Sequence, residues 1–298
     1  MKAIAWVRAS QALLFEASIV PALAGTAAAV GAGAAFRPEY LGLILLSLVG
    51  IQAGANLFKG YYEGLDRSVP PSSPGGWFAF DSGAAIGLTK NPKTVLRVGS
   101  ACFAVGVMAG LGLVAITANL VLLAFGLGGA VLAWSYSSPP LKLSYRGIGE
   151  ISTFLAFGPI MTLGATVAFG GAGAESSGFA SLILGFLAAA ISFGRYFPNR
   201  DEDVAKGKRT PVTLLGVRRA NLVFFGLVLA PYAVGAGWLA RGGGILWMPV
   251  LAVFVALIGL SFMRRGGRSP QYRTAIALTI LAHVVVGLGL LADLALRL

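Results

Sequence analysis

Nine apolar runs, near 10–32, 40–64, 95–116, 118–137, 150–172, 178–199, 218–239, 246–263 and 274–296, leave this chain little choice of solvent. A helix needs about 20 predominantly apolar residues to cross a hydrocarbon core, and each run meets that length within a few residues. Only 11% of the 298 residues are charged and 57% are hydrophobic, whereas soluble domains carry about 25% charge. A water-facing surface cannot be assembled from that composition. Most of the 42 glycines lie within the apolar runs, and they show no three-residue period, which predicts close helix packing. Turn formers fill the gaps, as in 70–76, 137–140 and 242–244. The basic, apolar N-terminus imitates a signal peptide, but Glu16 interrupts it and the run is long, which predicts a retained first helix.

The charges predict an orientation. With the N-terminus cytoplasmic, all of the 23 lysines and arginines except Arg37, Arg241 and Arg297 fall on or beside the cytoplasmic side. That is the positive-inside pattern, and it holds only for an odd number of spans. The expectation is a single domain over 1–298: an all-α integral membrane bundle of nine transmembrane helices around a central cavity, N-terminus cytoplasmic and C-terminus outside. Its setting is expected to be a prokaryotic cell membrane. The formal charge of +12 follows from topology and anionic lipid headgroups, so no nucleic-acid partner is implied. Cys102, the sole cysteine, excludes an internal disulfide and a cysteine metal site.

Acidic residues are few and unevenly placed. Seven of eleven, Glu63, Asp66, Asp81, Glu150, Asp201, Glu202 and Asp203, share the cytoplasmic mouth in this topology. Two helix ends there mix carboxylates, amides and cations. At the end of the second span Asn56, Lys59, Gly60 and Glu63 recur at three- and four-residue spacing, and at the end of the sixth Arg195, Asn199 and Asp203 do the same. That spacing predicts one face per helix. Ionisable groups at membrane depth are costly unless they face a polar cavity, so the two stripes are the candidate site.

Three sets of residues resemble the UbiA superfamily of intramembrane prenyltransferases. They are the first-span run from Arg8 through Gly25, the two polar helix ends, and the segment Tyr136-Ser137-Ser138-Pro139-Pro140-Leu141-Lys142-Leu143-Ser144-Tyr145-Arg146-Gly147-Ile148-Gly149-Glu150. That segment, with Phe157-Gly158-Pro159 and Gly207-Lys208-Arg209-Thr210, is most similar to the branch that prenylates 1,4-dihydroxy-2-naphthoate. The resemblance implies a polyprenyl diphosphate and a hydroxylated aromatic acceptor as substrates, release of diphosphate, and one or two Mg²⁺ ions. It implies candidate catalytic residues Asn56, Glu63, Asp66, Asn199 and Asp203, with Glu63, Asp66 and Asp203 on the metal. Lys59, Lys142, Arg146, Arg195, Arg200 and Lys208 are the expected diphosphate contacts, and Tyr61, Tyr62, Tyr136 and Tyr196 the aromatic groups near the prenyl cation. Carboxylates bind a diphosphate only through bridging cations, and lysine and arginine neutralise the remaining oxygens.

The chain departs from the family pattern. Where the family reads Asn-Asp-x-x-Asp, this sequence has Lys59, Gly60 and Glu63. Where it reads Asn-x-x-x-Asp-x-x-x-Asp, this sequence has Arg195, Asn199 and Asp203, and Asp203 alone matches directly. Cations have replaced amides and neutral groups have replaced carboxylates. The sharp expectation is that Lys59 and Arg195 approach the diphosphate and substitute for one metal. The alternatives are a UbiA-related terpene cyclase, or a non-catalytic homologue in which Lys59 and Arg195 form structural ion pairs with Glu63 and Asp203. A transporter is disfavoured because the carboxylates cluster at one mouth. His283, with no carboxylate at helical spacing, reads as a packed or cavity-lining residue, and Glu16 as a cavity, proton-carrying or hydrogen-bonding group.

Overall fold

A computed structural model describes residues 2–65, 83–86, 88–244, 246–263 and 269–295. Asp66, Arg67, Asp81, Arg264, Arg265, Arg268 and Arg297 lie outside the described residues. Every regular element among the described residues is helical. A short N-terminal helix α1 (Lys2–Ala9) precedes α2 (Glu16–Gly31), α3 (Pro38–Gly64), α4 (Lys93–Thr117), α5 (Leu120–Ser135), α6 (Gly149–Ala168), α7 (Ala174–Gly194), α8 (Arg200–Ala205), α9 (Pro211–Leu239), α10 (Trp247–Met263) and α11 (Ser269–Ala295).

Helices occupy all nine apolar stretches of the sequence. Seven are long and apolar enough to cross a membrane among the described residues, while α5 and α10 are shorter. Large apolar side chains such as Met108, Leu120, Ile151 and Leu222 stay exposed on outer helix faces, the surface a bilayer covers in place of water.

Several glycines do pack helices against one another. A Cβ built on Gly106 of α4 would stand 2.6 Å from the Ile51 nitrogen and the Ser47 oxygen of α3. Only hydrogen fits there, and α3 and α4 make the most extensive helix pair in the molecule. A second core layer joins α2, α7, α9, α10 and α11 through Val20, Leu184, Trp238, Trp247 and Val286.

Three irregularities shape the interior. Pro159 lies inside α6, and Ala156–Ile160 widens there into a π turn, because proline has no N–H to continue the ladder. In α9, Gly216 sits at φ 73° and ψ 161°, so a first turn from Pro211 is kinked away from the long helix that follows. The third corrects an expectation: α7 stops at Gly194, residues 195–199 form turns, and α8 begins at Arg200. Pro198 cannot extend a helix. Arg195, Asn199 and Asp203 therefore do not share a continuous helical face, and the chain brings them together by turning.

Candidate active site

Two cavities meet at the end of the bundle where α3 and α7 finish. One, about 240 Å³, is apolar and runs between α2, α3, α4, α5, α6 and α7, walled by residues such as Leu48, Leu113, Phe125, Phe157 and Met161. The other, about 30 Å³, is polar and is walled by Glu63, Ser144, Tyr196, Asn199, Glu202, Asp203 and Lys208. Lys59, Tyr136, Ser192 and Arg195 belong to both walls. The polar chamber and the apolar cavity thus share one wall.

Lys208 is the centre of the polar chamber. Its Nζ lies 3.0 Å from Glu63 Oε2 and 3.5 Å from Asp203 Oδ1, while Lys59 Nζ lies 3.7 Å from the same Glu63 oxygen. Glu63 is 1% exposed and Asp203 3%. Charges that deep are tolerated only when paired, because each costs several kcal/mol to desolvate alone. Asp203 Oδ2 is buried without a hydrogen-bond partner, which leaves one hard oxygen free for a cation.

Local sequence explains how Lys208 arrives there. After α8, Gly207 adopts φ 65° and its N–H caps the helix on the Val204 carbonyl, the left-handed stop for which glycine is suited. The chain reverses, the Lys208 N–H bonds the Asp203 carbonyl at 2.8 Å, and Thr213 Oγ1 holds the Lys208 carbonyl at 3.0 Å. The Arg209 N–H then donates to the Tyr145 carbonyl at 3.0 Å, docking this segment on the loop after α5. Lys208 Nζ stands 4.7 Å from the centre of the Tyr145 ring, with Lys142 Nζ on the same ring at 5.2 Å.

Electrostatics follow from this packing. Burial, reinforced by Glu63, raises the Asp203 carboxyl to about 6 against the pull of Lys208 and Lys59. For Lys208 burial works the other way, yet the Glu63 and Asp203 carboxylates outweigh it and hold the ammonium above its ordinary value.

The remaining sequence candidates divide by place. Asn199 lines the polar chamber, and its carbonyl accepts from the Asp203 N–H at 2.8 Å. Asn56 lines the apolar cavity and spends its Nδ2 on the Ser10 carbonyl at 2.8 Å. Arg146 is exposed and braces the Pro140 carbonyl at 3.0 Å, and Arg200 is exposed beside Asp201 at 3.1 Å. Tyr61 and Tyr62 pack edge to face on each other, 5.1 Å between ring centres, and are not among the described walls of either cavity. Asp66 is outside the described residues. Sequence reasoning passed over Ser144, Ser192 and Glu202 as wall residues, and Glu202 is held by Lys206 at 2.7 Å. It also missed the partner of His283: Glu16 Oε2, from the other end of the chain, lies 2.6 Å from His283 Nδ1.

This geometry sits in a recognisable lineage. Residues 87–288 match the UbiA prenyltransferase family. The chain belongs to the UbiA prenyltransferase family. Among curated relatives, the 2-carboxy-1,4-naphthoquinone phytyltransferase of Synechocystis is 25% identical over 241 residues, covering 78% of this chain and 72% of the relative. The 1,4-dihydroxy-2-naphthoate octaprenyltransferase of Mycobacterium tuberculosis is 27% identical over 292 residues and covers 95% of each. A solved UbiA homologue from Archaeoglobus fulgidus, bound to GPP and Mg²⁺, superposes with a TM-score of 0.69 at 15% identity, covering 97% of this chain and 99% of that one. That last likeness establishes a shared UbiA membrane fold.

Proposed function

We propose that this UbiA prenyltransferase joins a polyprenyl group from its diphosphate to a hydroxylated aromatic acceptor of the naphthoate class and releases diphosphate. One observation carries the reading: a small, charged chamber lies against an apolar cavity, with Lys59, Tyr136, Ser192 and Arg195 on the wall they share. A molecule with a highly anionic head and a greasy tail matches that pair of compartments. The names of the naphthoate and naphthoquinone relatives support the acceptor class.

In this reading Lys59, Arg195 and Lys208 neutralise diphosphate oxygens, which favours departure of the leaving group as charge develops on it. The prenyl C1–O bond breaks with its electron pair going to diphosphate. The acceptor ring supplies the pair for the new C–C bond, and the attacked carbon sheds a proton or carbon dioxide to restore aromaticity. Apolar walls keep water from the allylic cation meanwhile.

Glu63 and Asp203 would hold Mg²⁺, with Asp66 a further proposed ligand; when bound, the ion supplies Lewis-acid neutralisation of the leaving group. Two carboxylates completed by substrate oxygens is a common magnesium arrangement, and the unpartnered Asp203 Oδ2 fits it. Among the described residues no group of three or more His, Cys, Asp or Glu could hold a metal. We assign one protein-held ion, with Lys208, 3.0 Å from Glu63 and 3.5 Å from Asp203, supplying the charge of a second. We also assign nine crossings, α5 and α10 included, with the chamber opening to the cytoplasm, from the distribution of lysine and arginine.

The test supplies membranes carrying the protein with labelled geranylgeranyl diphosphate, with and without 1,4-dihydroxy-2-naphthoate. Acceptor-dependent prenylated naphthoquinone supports the proposal. A cyclised hydrocarbon would replace it with the cyclase reading, and no consumption of the diphosphate would leave a non-catalytic homologue.

A further inference from the structure

The helix that follows Lys208 presents a charged and a greasy surface to the bilayer. After the break at Gly216, α9 buries Ala220, Phe224 and Val228 in the core and leaves Arg218, Arg219, Leu222, Val223, Gly226 and Leu229 exposed. Those positions recur at three- and four-residue spacing, so they form one outward stripe with two arginines at its chamber end. From Arg219 to Leu229 the stripe rises about 15 Å, half of a hydrocarbon core about 30 Å thick, which is the depth of one leaflet. A Cβ built on Gly226 meets nothing within 4 Å, so the glycine leaves a shallow notch between Leu222 and Leu229. Among the described residues neither arginine is in an ion pair. The break also joins this stripe to the segment that delivers Lys208. On its near side Val212 is fully buried, and a Cβ built on Gly147 would stand 2.8 Å from the Arg209 carbonyl oxygen and 3.5 Å from Leu214 Cδ1. Leu214 and Leu215 are exposed immediately before the break, and Arg218 and Arg219 immediately after it.

We propose that one anionic phospholipid of the leaflet at the chamber end binds this stripe and that its occupancy holds the Gly216 bend in the arrangement that seats Lys208. Its phosphate lies on Arg218 and Arg219, and an acyl chain follows Leu222, the Gly226 notch and Leu229. The planar fork of arginine suits a phosphate, and no internal carboxylate competes for either guanidinium among the described residues. A basic side chain beside an anionic membrane surface gains about fivefold in affinity, and here two act on one headgroup. A zwitterionic lipid offers the same chains, but its own cation competes with the arginines. At φ 73° Gly216 holds a conformation that glycine leaves as readily as it enters, so the bend needs a second restraint, and a lipid lying over Leu215 and Arg218 supplies it. Binding is independent of the transferase reading, and only its effect on turnover rests on it.

The experiment places the full chain in nanodiscs of phosphatidylcholine with and without phosphatidylglycerol and follows amide hydrogen exchange over residues 208–215 by mass spectrometry. The N–H groups of Lys208, Arg209, Thr213 and Leu214 are all hydrogen-bonded in the seated arrangement, so their exchange reports its opening. In wild type, phosphatidylglycerol should slow that exchange about three- to tenfold. Arg37→Gln, at the opposite end of the bundle, should respond like wild type, and the double variant Arg218→Gln/Arg219→Gln should exchange alike in both bilayers. Equal exchange of wild type in the two bilayers, or the same slowing in the double variant, overturns the proposal. Exchange is read without turnover, so absence of prenyl transfer would overturn the transferase reading and leave this test standing. If the double variant fails to accumulate in the membrane, Arg219→Gln alone, a single exposed substitution, decides by the same comparison.

Discussion

Asp203 carries the most chemistry of any single residue in the chamber, because burial raises its carboxyl to about 6. The folded value exceeds the unfolded one, near 3.9. Asp203 therefore stabilises the fold fully below that unfolded value, and the contribution is lost as pH rises through about 6. The metal role proposed for it runs the opposite way: a protonated carboxyl cannot hold Mg²⁺. At limiting Mg²⁺, transfer should fall about tenfold per pH unit below that value, and added Mg²⁺ should restore it. A flat profile between about pH 5 and 7.5 would remove Asp203 from the metal site. Lys208 gives a second prediction. Replacing it by Met strips the counter-charge from two buried carboxylates, and breaking such a pair costs roughly 3–5 kcal/mol. Thermal unfolding of the solubilised variant should show that loss, and an unchanged midpoint would mean the chamber is wetter than its packing indicates.

Between helices the decisive residues are small. Gly106→Ala places a methyl against the backbone of Ile51 and Ser47, where neither neighbour can retreat without moving α3. The expected cost is roughly 1–3 kcal/mol, as for other overpacked sites. Gly112→Ala, whose methyl meets nothing within 4 Å, should unfold like wild type and serves as the control. Helix existence was legible from the sequence because apolar runs of spanning length have few alternatives. Helix ends were less so. Pro198 ends α7 early and Gly216 breaks α9 within its first turns, and neither event disturbs the hydropathy that marked the spans. The chamber was half legible. Glu63 and Asp203 stood out as rare carboxylates in an apolar chain, whereas the central place of Lys208 depends on the reversal at Gly207 and on docking against Tyr145. The Glu16–His283 contact joins residues 267 positions apart, beyond any reading of helical spacing.

Among the described residues, exposed ion pairs mark both ends of the bundle. The ion pairs Arg37–Glu39 and Arg241–Glu175 lie at the helix ends opposite the chamber, while Arg200 and Lys206 lie beside it. In a Cys102→Ser background, a membrane-impermeant maleimide applied from outside should label Glu175→Cys and spare Arg200→Cys, with the reverse from the cytoplasmic side. Labelling of both from one face would reject an odd number of crossings between them. The wall common to the two cavities also has a practical consequence. On the transferase reading, the two compartments suit any amphiphile that combines a phosphorylated head with one flexible alkyl chain, and some surfactants have that form. Protein extracted into alkyl-phosphate micelles will carry a competitor in both compartments and turn over slowly until it is exchanged into a sugar-headed micelle.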